Sequence, residues 1–209
     1  MTPAARWAEC WRELGAAPPN DVLAALLAKY AEPHRAYHTQ RHLEECFAAL
    51  DALRPLAVQR AEVELALWFH DAVYDTRRND NEALSAQWAE RTARDAGLGA
   101  GAAARVRELV LVTRHDGVPA DDDARLLVDI DLGILGAEPA RFEEYEAQVR
   151  FEYAWVPEQS FRAERARILR SFLARPAIFS TERVRAEREA RARDNLARSI
   201  ARLSEKAGS

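Results

Sequence analysis

The sequence predicts an all-α protein, and three observations carry that expectation. Apolar residues recur at i, i+3, i+4 and i+7 along nearly the whole chain. Prolines and glycines interrupt the pattern at helix-length intervals. No stretch alternates polar with apolar residues long enough to build a sheet. At 209 residues the chain suits one large domain that can bury a substantial core. No period of roughly 20–50 residues recurs, which disfavours a helical-repeat solenoid.

Residues 4–14 read as a short helix with Trp7, Trp11 and Leu14 on one face, ended by Gly15 and Pro18-Pro19. Asn20 or Asp21 can cap a second helix running to Tyr30, with Val22, Leu23, Leu26, Leu27 and Tyr30 as its apolar stripe. Pro33 breaks the pattern, so His34 to His38 reads as a loop or a helix entry. Thr39 is placed to cap a helix to Leu53, whose stripe is Leu43, Cys46, Phe47 and Leu50. The next helix is expected over Gln59–Tyr74 and is apolar nearly all round from Val63 to Phe69, which marks it as buried and central. A polar turn over 75–80 leads into a helix to Asp95. Gly97, Gly99 and Gly101 form a loop rather than a phosphate cradle, because no strand precedes them. A helix over 102–113 follows, then one begun by Asp121-Asp122-Asp123 that carries Leu126, Leu127, Val128 and Ile130. From Glu138 onward three long, heavily charged helices are expected over 138–154, 158–174 and 181–203.

Composition narrows the function classes. A formal charge of −4 and a pI near 5.8 argue against stable nucleic-acid binding, which favours basic surfaces. The basic residues are almost all arginine; Lys29 and Lys206 are the lysines. Cys10 and Cys46 form neither a disulfide framework nor a zinc ribbon motif. Without a signal-peptide pattern or an apolar run of about 18 residues, a soluble cytoplasmic protein with no membrane partner is expected.

The chemistry concentrates around Trp68-Phe69-His70-Asp71, read together with Tyr37-His38-Thr39-Gln40-Arg41-His42 and Asp129-Ile130-Asp131. Histidine is scarce, five in the chain, so its clustering here counts. A carboxylate at the inner end of an apolar helix is costly unless something positive offsets it. Imidazoles with carboxylates make a mixed N/O donor set that suits a borderline or hard divalent cation. A second His-Asp pair, His115-Asp116, precedes Gly117 at a helix end, where a polar surface turn explains it.

Tyr37-His38-Thr39-x-x-His42-Leu43, His70-Asp71 and Asp131-Leu132-Gly133 together resemble the HD superfamily of metal-dependent phosphohydrolases. More narrowly, the chain is similar over nearly its whole length to a bacterial group of HD phosphohydrolases of unknown substrate. That likeness includes Asn81-Glu82, Ser85-Ala86, Thr113-x-His115, Arg150-x-Glu152-Tyr153 and Glu189-x-x-Ala192-Arg193-x-Asn195-Leu196. The resemblance implies one HD-type helical domain, with a metal-binding core over about 30–137 and a C-terminal helical extension over about 138–209. It implies His42, His70, Asp71 and Asp131 as metal ligands; Asp131 is preferred to Asp129 because Leu follows it. His38 corresponds to the histidine that protonates the leaving alcohol in cyclic-nucleotide phosphodiesterases, although Thr39 stands where those enzymes have Asn.

The expected activity is therefore hydrolysis of a phosphomonoester or phosphodiester of a nucleotide or small metabolite. Its cofactor would be a divalent ion, Mn, Fe, Co, Ni, Zn or Mg. Asp71 would orient or accept the water proton and His38 would donate to the leaving oxygen. Arg41 and Arg114 could grip phosphate, Glu82 could orient a ligand histidine, and His115 could serve a second metal or line the site. Two other classes remain open: a catalytically inactive nucleotide-binding or signalling module acting through a protein partner, and a purely helical interaction module. The C-terminal helices could cover the site or form a homodimer face.

Overall fold

The computed structural model describes residues 1–205, and among them it is all-helical: ten α-helices, three short 3-10 turns and no strand. The chain divides into two compact units, Met1–Ile130 and Asp131–Ser209. The last four residues, Lys206 among them, lie outside the described part.

The first unit contains α1 (Pro3–Glu13), α2 (Asn20–Lys29), α3 (Gln40–Ala52), α4 (Arg60–Phe69), α5 (Asn81–Asp95), α6 (Ala100–Leu111) and nearly all of α7 (Asp122–Asp131). Helix α4 is its hub and packs against α1, α3, α5 and α6. Every residue from Glu62 to Phe69 is buried, as the unbroken apolar run requires. Trp7 meets Trp68 edge-on at 5.4 Å between ring centres, and Phe47 lies 4.7 Å from Trp68, so α1 and α3 pin α4 through aromatic contacts. The two carboxylates inside α4 are each neutralised: Glu62 by Arg105 at 2.6 Å, Glu64 by Arg60 at 2.8 Å and Arg6 at 3.1 Å. The amides of Val58 and Gln59, just before α4, donate to the carboxylate of Asp123 from α7, which ties the entry of α4 to that helix.

Two local expectations change. Asn20 is the first residue of α2, not its cap; Pro19 holds the cap position without a side-chain bond. Helix α4 stops at Phe69 rather than Tyr74, because tertiary partners take the backbone groups beyond it. The Tyr30 hydroxyl donates to the Trp68 carbonyl and accepts from the Asp71 amide. Arg35 binds the carbonyls of Asp71 and Ala72, and Ser85 Oγ accepts from the Val73 amide. Each group so used is lost to a continuing helix.

The second unit comprises the 3-10 turn Leu132–Gly136 and helices α8 (Pro139–Glu152), α9 (Glu158–Leu173) and α10 (Glu182–Glu205). Here α10 packs on α9 and on the 3-10 turn. The motif Glu189-x-x-Ala192-Arg193-x-Asn195-Leu196 builds this core. Glu189 accepts from the Ile178 and Phe179 amides at 3.0 and 3.2 Å, and Arg193 donates to the carbonyls of Leu173, Arg175 and Pro176. The Asn195 amide group donates to the Leu135 and Ala137 carbonyls, both at 2.9 Å. At Gly136 an added Cβ would lie 2.7 Å from Arg188 Cβ and 3.0 Å from its carbonyl oxygen. Because that neighbour is helix backbone, Gly136→Ala is expected to cost about 1–3 kcal/mol, read as a lowered urea midpoint at unchanged slope.

Candidate metal centre

The site forms where the loop before α3, the first turn of α3 and the turn after α4 meet within the first unit. Thr39 occupies the cap position of α3, but its hydroxyl turns back to the Tyr37 carbonyl. His42 points inward from the first turn of α3 and is buried. His70 is the C-cap residue of α4, and Asp71 follows in the turn.

Three of the expected ligand atoms converge. His42 Nε2 lies 3.0 Å from His70 Nε2 and 3.6 Å from Asp71 Oδ2; His70 Nε2 lies 3.0 Å from Asp71 Oδ2. Atoms so spaced share points about 2.0 Å from all three, the length of a zinc bond to nitrogen or carboxylate oxygen. The tautomer also suits coordination. His70 Nδ1 lies 2.8 Å from the Leu67 carbonyl, which can only accept, so the hydrogen of neutral His70 sits on Nδ1 and its Nε2 lone pair faces the other donors. A lone pair 3.0 Å from a carboxylate oxygen is stable only with a proton or cation between them. Burial opposes ionisation of Asp71; with His70 protonated on both nitrogens, its charge, then that of His38, a hydrogen bond from His70 and the charge of His42 hold the carboxyl well below the usual range. A cation among the three donors would supply that positive charge with His70 neutral.

Cys46, one helical turn after His42, is the residue that the sequence motif does not contain. His42, Cys46 and His70 form a buried group that could hold a metal ion. Its Sγ lies 3.7 Å from Nε2 and 3.8 Å from Nδ1 of His42. Near-equal distances place the sulfur beside the ring and off the Nε2 lone-pair line, whereas His70 and Asp71 both face Nε2. Cys46→Ala is therefore expected to keep its bound metal; loss in elemental analysis would make the thiolate a ligand and favour a softer ion.

The remaining sequence candidates take different places. His38 is half-exposed and stacks on Tyr74 at 4.1 Å between ring centres, with His42 6.1 Å away. Arg41 is half-exposed and pairs with Glu45, and Arg114 pairs with Asp116. Glu82 sits in the first turn of α5, while the Leu67 carbonyl supplies the orienting bond to His70. His115 adopts a left-handed backbone, φ 56°, at the turn after α6. Asp129 is buried near the end of the first unit; Asp131 begins the second and lies close enough to Tyr145 to raise that residue's pKa, after burial and Glu146. Two residues apart on a helix, the two carboxylates point to roughly opposite faces.

No family model, curated protein or solved structure matches the chain. A helical fold with a buried imidazole cluster able to bind metal is compatible with an HD-type domain. No helix among the described residues is long and apolar enough to cross a membrane.

Proposed function

We propose that this chain is a divalent-metal-dependent phosphohydrolase of the HD type, cleaving a phosphomonoester or phosphodiester of a nucleotide or small phosphorylated metabolite. The observation that supports it most is the convergence of His42 Nε2, His70 Nε2 and Asp71 Oδ2, with the His70 hydrogen held away on Nδ1. In this reading His42, His70 and Asp71 hold the ion. Such an ion supplies a Lewis acid and an acidified water. Asp71, the carboxylate among these donors, would orient a water at the site and could take its proton. His38, half-exposed and 6.1 Å from His42 between ring centres, donates a proton to the leaving oxygen.

The test is elemental analysis of the purified chain, followed by a metal-supplemented screen. Its substrates are nucleoside mono-, di- and triphosphates, cyclic and dinucleotides, and generic phosphate esters. The expected result is bound transition metal and turnover of at least one class that a chelator abolishes. Bound metal with binding but no turnover of any class would replace this reading with the inactive nucleotide-binding module. A chain free of metal after supplementation would leave a helical interaction module.

A further inference from the structure

We infer that Arg35 is a positioning residue, a strut that sets the His38 loop against the Asp71 turn. Its side chain is fully buried, with 0% exposure. Nη1 donates to the carbonyls of His38 at 3.1 Å and Asp71 at 2.7 Å, Nη2 to that of Ala72 at 3.2 Å, and Nε to Glu32 at 3.3 Å. The guanidinium lies over two rings, 5.2 Å from the centre of Tyr30 and 5.3 Å from that of Tyr74. Tyr74 in turn stacks on the His38 ring. Arg35 thus reaches His38 by two routes, its backbone carbonyl and its ring.

Energetics argue that this is more than loop packing. Burying a guanidinium costs several kcal/mol, roughly, unless most of its hydrogens are bonded. Its carboxylate partner Glu32 is shared with Lys29 at 2.8 Å. Apolar side chains would hold two loops together at lower cost. What they cannot do is fix two carbonyls in register, which a rigid planar fork does. The residues at those carbonyls are the ones that the proposed function uses as acid and as ligand. The segment from Ala31 to Thr39 contains no helix that could fix His38 by itself.

The catalytic part of this inference rests on the hydrolytic reading; the strut itself does not. The experiment compares Arg35→Met and Arg35→Lys with the wild type, each first shown folded by circular dichroism. Amide hydrogen exchange should rise together in residues 37–39 and 71–73 of Arg35→Met and to a lesser degree in Arg35→Lys, whose ammonium cannot span both segments. Metal content should stay near wild type, since His42 and His70 are held by α3 and by the Leu67 carbonyl. On a substrate of the screen, kcat should fall about 10–100-fold with KM nearly unchanged, and the fall should be larger for poor leaving groups. Unchanged exchange in either segment of folded Arg35→Met overturns the strut. A loss uniform across leaving groups and accompanied by metal loss overturns the positioning role. If the wild type turns over no substrate, the exchange result still decides the strut and only the hydrolytic reading falls.

Discussion

His70→Ala is expected to purify with almost no bound metal, the largest single effect at this site. Removing only a partner that orients a ligand histidine costs roughly 10–100-fold in metal affinity elsewhere, so losing the ligand itself should cost at least that. His70 is also the atom nearest to both other donors, 3.0 Å from each, so no remaining pair is bridged as closely. The same variant should uncouple metal from stability. At free metal of about 100 times Kd, binding adds about 2.7 kcal/mol to the folded state. A chelator should therefore lower the melting temperature of the wild type and leave that of His70→Ala unmoved. Asp71→Ala should behave alike. Full metal content in both variants would remove the site.

For His38→Ala the expectation is opposite in metal and just as large in rate. Metal should stay, because the His38 ring packs edge-on against Tyr37 and stacks on Tyr74, contacts that hold it without an ion. Turnover should fall about 10²–10⁴-fold, the usual contribution of a positioned general acid. That penalty should shrink for p-nitrophenyl esters, because nitrophenolate departs without needing a proton. Loss of metal would make His38 a ligand, and an equal penalty on every leaving group would refute its role as acid.

Much of this was readable in the chain. The buried central helix was legible because Val63 to Phe69 leaves no polar face to solvate. The HD resemblance named His42, His70 and Asp71 together, and a His-Asp pair closing an apolar run drew attention to the last two; the structure brings donor atoms of all three within 3.0–3.6 Å of one another. Arg35 was not, since nothing local separates it from the other arginines; its burial comes from carbonyls 36 and 37 residues away. Cys46 read as one more apolar position on the α3 stripe, because a thiol packs like a small hydrophobe until an imidazole stands beside it.

The sequence by itself determined the helices, their buried faces and the residue types able to hold a cation, because periodicity and side-chain chemistry are local properties. Only the tertiary structure decided where α4 ends, which nitrogen of His70 carries its hydrogen and which arginine ties the loops together. Those outcomes depend on backbone groups competing for partners that lie far away in the chain, and no local pattern encodes who wins.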